Sequence, residues 1–100
     1  MDTETIIMEL IVQAGDARSL AIEAIRAARQ GEFDKADKLM EECRTSLIAT
    51  HEIQTDLIRT EITGEPSMVS LLMVHAQDHV MNAMTVKDLS VEIIELMKSK

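Results

Sequence analysis

Apolar residues recur at three- and four-residue steps over almost the whole chain, and this spacing constrains the fold more than any other feature. In residues 3–30 the apolar set is Ile6, Ile7, Leu10, Ile11, Ala14, Ala17, Ala21, Ala24, Ile25 and Ala28. Such spacing places a set of side chains on one face of a helix. Similar stripes cover residues 33–60 and 67–98. The pattern predicts three long amphipathic helices.

Glycine and proline mark the expected ends of these helices. Gly31 can end the first helix, and Thr63-Gly64-Glu65-Pro66 can end the second. Ser67 then fits the N-cap position of the third helix. Gly15 falls inside the first helix, where we expect it to permit close helix contact. The short connections predict an all-α, up-down-up three-helix bundle that occupies residues 1–100 as one domain.

The composition narrows the class of protein. The chain has 100 residues, one phenylalanine, no tryptophan or tyrosine and eight methionines, so its core must be mainly aliphatic. A net charge of −8 argues against nucleic-acid binding, which needs a basic surface. No apolar run suits a membrane span or a signal peptide. We expect a cytoplasmic protein that does not insert into the membrane, with its single Cys43 in the core.

The first half of the third helix is apolar on every side. Between Met68 and Met84 the apolar residues Leu72, Met73, Val74, Ala76, Val80, Met81 and Ala83 surround the helix. A helix of this kind must be covered on every side, and two partner helices cannot do that. The excess apolar surface predicts self-association.

Two histidines and an aspartate interrupt this apolar stretch. His75, Asp78 and His79 stand at i, i+3 and i+4, so they share one sector of the helix, and Asn82 extends it by a turn. Three interpretations stay open from these residues alone. The cluster can be a structural polar network, a divalent metal site, or a nucleophilic histidine that carries a phosphoryl group with His79 or Asn82 as a hydrogen-bond donor.

Several segments together resemble one protein family. Residues 70–81, Ser-Leu-Leu-Met-Val-His-Ala-Gln-Asp-His-Val-Met, are similar to the phosphorylation-site helix of the enzyme IIA components of the lactose/cellobiose class of the bacterial sugar phosphotransferase system. Residues 14–19, 29–33 and 51–55 resemble the same family in order and spacing. The resemblance covers essentially the whole chain and implies a homotrimer of three-helix protomers.

The resemblance also implies a function and a set of site residues. The chain would be a phosphotransferase component in which His75 accepts a phosphoryl group from phospho-HPr and passes it to a cysteine of the matching IIB component. His79 would flank the phosphoacceptor. Asp78 would meet its copies near the trimer axis, where the carboxylates of this family sometimes bind Mg²⁺ or another divalent cation. No organic cofactor is implied.

Gln77 and His51 also match positions of the family, but they lie away from the sector of His75. Gln77 points nearly opposite to His75 on the helix, so it can act only from a neighbouring subunit or serve in packing at the subunit interface. For His51 we expect a structural role. The transported sugar is a β-linked disaccharide or β-glucoside, with lactose, cellobiose and diacetylchitobiose all open. The alternative function is a helical oligomer with a structural metal site at His75, Asp78 and His79 and no turnover.

Overall fold

Three long helices account for nearly all of the residues that the structure, a computed structural model, describes, which are 3–64 and 69–100. The helices are α1 (Thr3–Arg29), α2 (Phe33–Ile62) and α3 (Leu71–Lys98). Together they form a rod of 51 × 20 × 19 Å. Within the described residues there is no strand. The all-α class predicted from the apolar spacing is confirmed.

Contacts between side chains fix the directions of the helices. Thr50 Oγ1 of α2 donates to Gln13 Oε1 of α1 at 3.1 Å. At one end of α3, Lys98 Nζ donates to Asp37 of α2 at 2.8 Å, and towards the other end Gln77 contacts Gln54. The residue numbers on α2 therefore fall as those on α1 and α3 rise. The bundle is up-down-up, and α1 and α3 run parallel.

Alanines form the central seam of the bundle. The fully buried alanines of α1 are Ala14, Ala17, Ala21 and Ala24. On α3 the small buried residues are Ala76, Ala83 and Ser90. Small side chains let two helices pack closely, and α1 contacts both α2 and α3 far more than those two contact each other. The core is thus built around α1.

The turn between α1 and α2 is set by Gly31, as predicted. Its φ of +80° lies in the left-handed region that favours glycine. The Gly31 amide donates to the Ala28 carbonyl and the Glu32 amide to the Ala27 carbonyl, both at 2.9 Å. These two bonds form a Schellman motif, which satisfies the last carbonyls of α1. The chain then enters α2 directly at Phe33.

The start of α3 corrects the expected boundary at residue 67. Ser70 is the N-cap, with extended backbone angles and with its side-chain Oγ accepting from the Met73 amide at 3.1 Å. Because Val69 and Ser70 are not helical, Ser67 cannot cap this helix, and Ser67 itself lies outside the described residues. Both serines precede an apolar run, so the capping rule alone cannot choose between them.

One face of α3 is left uncovered in the protomer. We call this face the α3 seam, and its residues are Leu71, Asp78, Asn82, Leu89, Ile93 and Leu96. All six are exposed, including Leu71 at 86% and Leu89 at 57%. Their steps of seven, four and three residues are those of a seam between helices. The predicted excess of apolar surface is present in the first half of α3, where Leu71, Val74 and Met81 are exposed, but it also continues through Leu89, Ile93 and Leu96 into the second half, where the sequence did not predict it.

Candidate functional site

His75 and His79 form a pair on α3 near its N-terminal end. Their Nε2 atoms are 3.1 Å apart, and their rings meet edge to face with centroids 4.4 Å apart. His75 is exposed, whereas His79 is half-buried against α1. Of the three predicted side chains in this sector, these two come into contact.

The contact between the two Nε2 atoms restricts the protonation of the rings. A hydrogen bond between two nitrogens needs one donor and one acceptor, so one Nε2 carries the proton and the other offers its lone pair. If His79 Nε2 is the donor, His75 holds its own proton on Nδ1, and the lone pair of its Nε2 accepts the bond and becomes available for reaction when His79 donates elsewhere. An exposed imidazole nitrogen with a lone pair is a nucleophile. The geometry therefore suits His75 as the reacting group and His79 as the donor.

Asp78 does not join the histidine pair. Its side chain is exposed, and Asp78 Oδ2 accepts from Asn82 Nδ2 at 3.3 Å. Asn82, expected as a donor in the cluster, is thus bonded to Asp78. Across residues 3–64 and 69–100 no three histidine, cysteine or carboxylate side chains come together as metal ligands. The metal site predicted as an alternative at His75, Asp78 and His79 is not formed within one protomer.

Gln77 faces away from His75, as its position two residues along the helix requires. Its Oε1 accepts from Gln54 Nε2 of α2 at 2.6 Å. Gln54 is buried, and its Nε2 also lies 3.8 Å from Met81 Sδ. This amide pair ties α2 to α3 inside the protomer. Sequence reasoning missed Gln54, whose place in the apolar stripe of α2 was the available signal.

A groove between α1 and α3 opens beside His79. It has a volume of about 510 Å³, and it is lined by Gly15, Arg18, Ser19, Ile22, Glu23 and Arg26 of α1 together with His79 of α3. A Cβ placed on Gly15 would meet no atom within 4 Å. The expectation that Gly15 permits close helix contact is therefore wrong within the protomer. The glycine instead leaves open space next to His79.

The remaining singled-out residues lie away from this site. His51 is exposed on α2 and has no hydrogen-bond partner in the described parts of the chain, so no contact within the protomer supports the structural role expected for it. Cys43 is fully buried, which confirms its place in the core. Burial raises the pKa of the Cys43 thiol, and the positive charges of Lys87 and Arg44 offset part of that rise.

The fold and the histidine pair define a small helical protein that presents two contacting imidazoles on its third helix. The model of the PTS system, Lactose/Cellobiose specific IIA subunit, matches residues 5–98. The lichenan-specific phosphotransferase enzyme IIA component of Bacillus subtilis is 50% identical, over 95% of this chain and 86% of that protein. This chain belongs to the lactose/cellobiose-specific IIA family, a set of sugar-specific components of the phosphotransferase system.

Solved structures agree with this assignment. The cellobiose-specific enzyme IIA of Bacillus anthracis superposes with a TM-score of 0.93 at 45% identity, covering 99% of this chain and 92% of that one. The IIA(Chitobiose) of Escherichia coli, solved in complex with HPr, gives a TM-score of 0.86 at 42% identity, covering 99% of this chain and 96% of that one. No described helix is long and apolar enough to cross a membrane.

Proposed function

We propose that His75 carries a phosphoryl group, which it accepts from phospho-HPr and passes to a cysteine of the matching IIB component. The observation that carries this proposal is the contact of 3.1 Å between the Nε2 atoms of His75 and His79 on an exposed face. The complex of the Escherichia coli relative with HPr supports the choice of donor.

The transfer is a displacement at phosphorus. The lone pair on His75 Nε2 forms a bond to phosphorus while the bond to the donor breaks, and the electron pair of that bond stays with the donor. The product ring, bonded to phosphorus at Nε2 and still protonated at Nδ1, is cationic, and release of the Nδ1 proton to solvent makes the ring neutral. His79 Nε2 then donates to a phosphoryl oxygen instead of to His75. In the second step a thiolate of the IIB component displaces His75 in the same way.

We further propose that three copies assemble through the α3 seam. Its exposed leucines and isoleucine are spaced as in helices that pack along a common axis. In this arrangement any contact of Gln77 with a phosphoacceptor would be with the His75 of a neighbouring copy, since within its own protomer Gln77 faces away from His75 and bonds to Gln54. The alternative role of Gln77 is packing between subunits.

Assembly would also bring three copies of Asp78 together near the axis. Each carboxylate is exposed on the seam and is bonded only to the neutral amide of Asn82 within the protomer, so its oxygens suit Mg²⁺ or another hard divalent cation. The cation would neutralise the three charges. The residues of this chain would hold it through Asp78 alone.

The sugar served by this component is proposed to be a β-linked disaccharide or β-glucoside. Relatives named for lichenan and cellobiose support this class. Relatives named for lactose and for diacetylchitobiose match over a similar share of the chain. The component that carries the sugar across the membrane would select among them.

Phosphoryl acceptance by single-histidine variants tests the proposal. The protein is incubated with phosphoenolpyruvate, enzyme I and HPr, and its intact mass is measured. We expect one added phosphoryl group in the wild type, none in His75→Gln, and one in His51→Gln, which removes an exposed histidine of α2. His79→Gln should still accept the group but more slowly. A phosphorylated His75→Gln would show that another side chain is the acceptor.

A further inference from the structure

We propose that Arg18 of α1 binds the phosphoryl group on His75, from a site that we call the Arg18 site: Gly15, Arg18, Ser19 and His79. This inference rests on the proposed role of His75. It adds a cationic residue from a different helix to the histidine pair.

The first observation is that the histidine pair lacks a cation on its own helix. From Leu71 to Val86, α3 contains no lysine or arginine, and it places the carboxylate of Asp78 one turn from His75. A phosphoryl group brings close to two negative charges at neutral pH. Without a nearby cation, that charge would stand beside Asp78 in a chain whose net charge is −8.

The groove beside His79 contains the missing positive charge. Arg18 and Arg26 both line it, and neither makes an ion pair or a hydrogen bond in residues 3–64 and 69–100. An arginine side chain that has no carboxylate partner keeps all its donors available. A guanidinium group can give two parallel hydrogen bonds to phosphoryl oxygens.

The packing register places Arg18, rather than Arg26, near His79. Gln13 is level with Thr50, and Gln77 is level with Gln54, one turn further along α2. By this register His79 is level with about residue 11 of α1, so Arg18 lies about 10 Å and Arg26 about 22 Å further along the helix axis. Side chains on a helix lean towards its N-terminus. An arginine at position 18 that follows this preference points its guanidinium back along α1, towards the level of His79.

Two neighbours of Arg18 on α1 make the groove beside His79 suitable for binding an anion. Gly15 leaves open space where a side chain would otherwise stand, although glycine inside a helix costs about 1 kcal/mol relative to alanine. Ser19 adds a hydroxyl donor to the lining. The one carboxylate of the groove, Glu23, lies on the Arg26 side of Arg18. The half of the groove beside His79 thus has a positive charge, hydrogen-bond donors and enough open space for an anion.

The decisive measurement is the equilibrium of phosphoryl transfer between HPr and this protein. A residue that binds the phosphoryl group on His75 shifts this equilibrium, whereas a residue that only helps HPr to dock changes the rates and leaves the equilibrium unchanged. Mixtures of phospho-HPr and the protein are left until transfer stops, and both phosphorylated species are quantified by intact mass. Helix content and sedimentation of every variant are compared with the wild type.

We expect Arg18→Gln to lower the equilibrium constant roughly tenfold or more, as for loss of a charge-assisted hydrogen bond. Arg18→Lys should recover part of that loss, because it keeps the charge without the planar fork. Arg26→Gln is the matched control, since it removes the same charge from the far end of the groove. It should change the equilibrium by no more than about twofold, because exposed charges at that distance are screened.

Three results would overturn the inference. The first is an equilibrium constant in Arg18→Gln equal to that of the wild type. If transfer is also slower, Arg18 helps HPr to dock; if the rate is unchanged, Arg18 has neither role. The second is an equal loss in Arg18→Gln and Arg26→Gln, which would indicate a general effect of net charge. The third applies if Arg18→Gln fails to fold, in which case Arg18→Lys is the test. An equilibrium constant in Arg18→Lys equal to that of the wild type would then overturn the inference. A wild type that accepts no phosphoryl group would instead refute the role of His75.

Discussion

Leu89→Ala tests whether the α3 seam is covered by other copies of the chain. Replacing leucine with alanine removes roughly three methylene-sized groups, and full burial of each contributes about 0.8 kcal/mol. In the protomer 57% of Leu89 is exposed. If the trimer buries that part, the substitution costs about 1.4 kcal/mol per chain and about 4 kcal/mol per trimer.

This energy has a direct effect on assembly. A loss of about 4 kcal/mol lowers the association constant of the trimer roughly a thousandfold. The protein concentration at half-assembly varies as the inverse square root of that constant, so it should rise about thirtyfold. Sedimentation equilibrium over a wide concentration range measures this midpoint for the wild type and the variant.

Ile48→Ala provides the control for exposed apolar surface in general. Ile48 is 56% exposed on α2 and does not belong to the α3 seam. The substitution also removes three methylene-sized groups, but we expect the assembly midpoint to stay where it is. Equal shifts in both variants, or an unchanged midpoint in Leu89→Ala, would refute assembly through the seam.

Three other predictions follow from single residues. Ser70→Ala should lower the free energy of unfolding by about 1 kcal/mol in a urea titration, and Ser70→Gly by only a few tenths; Ser67→Ala should leave it unchanged, and a loss there equal to that of Ser70→Ala would contradict the observed cap. The pKa of Cys43 is raised in the folded state, so the unfolded thiol ionises first and stability should fall as pH rises past the ordinary pKa of a cysteine thiol. The same pH series on Cys43→Ala should lack that fall, and an identical fall in both proteins would assign it to other groups. If the proposed trimer forms, Asp78→Leu should raise its thermal stability and remove any response to Mg²⁺, because the substitution replaces three like charges with apolar groups; a variant less stable than the wild type with and without Mg²⁺ would count against an axial cluster.

The helical fold could be predicted from the sequence because its signals are local. The apolar spacing marks each helix, and Gly31 ends α1 with a conformation that other residues rarely adopt. The start of α3 could not be fixed in this way. Ser67 and Ser70 are both acceptable N-caps by type and position, and only the backbone angles of Ser70 and its bond to Met73 identify the cap.

The site was predictable only in part, for a related reason. His75 and His79 are one turn apart on the same helix, so their contact follows from helix geometry. Asp78 satisfies the same spacing, yet it pairs with Asn82. Arg18 and Gln54 lie on other helices, more than twenty residues from their neighbours on α3. Their placement depends on the packing register, which no local pattern contains.

The two polar positions of the α3 seam have a further consequence for alignment. Asp78 and Asn82 interrupt a row of leucines and isoleucine, so sliding one α3 along another by a turn would set a carboxylate against an apolar side chain and strand it without water or a partner. Only one axial alignment keeps all polar side chains at the same height. That alignment would hold the histidine pairs of every copy in a single belt around the assembly, each at the same distance from its end. A partner protein would then find an equivalent binding site on each side of the assembly.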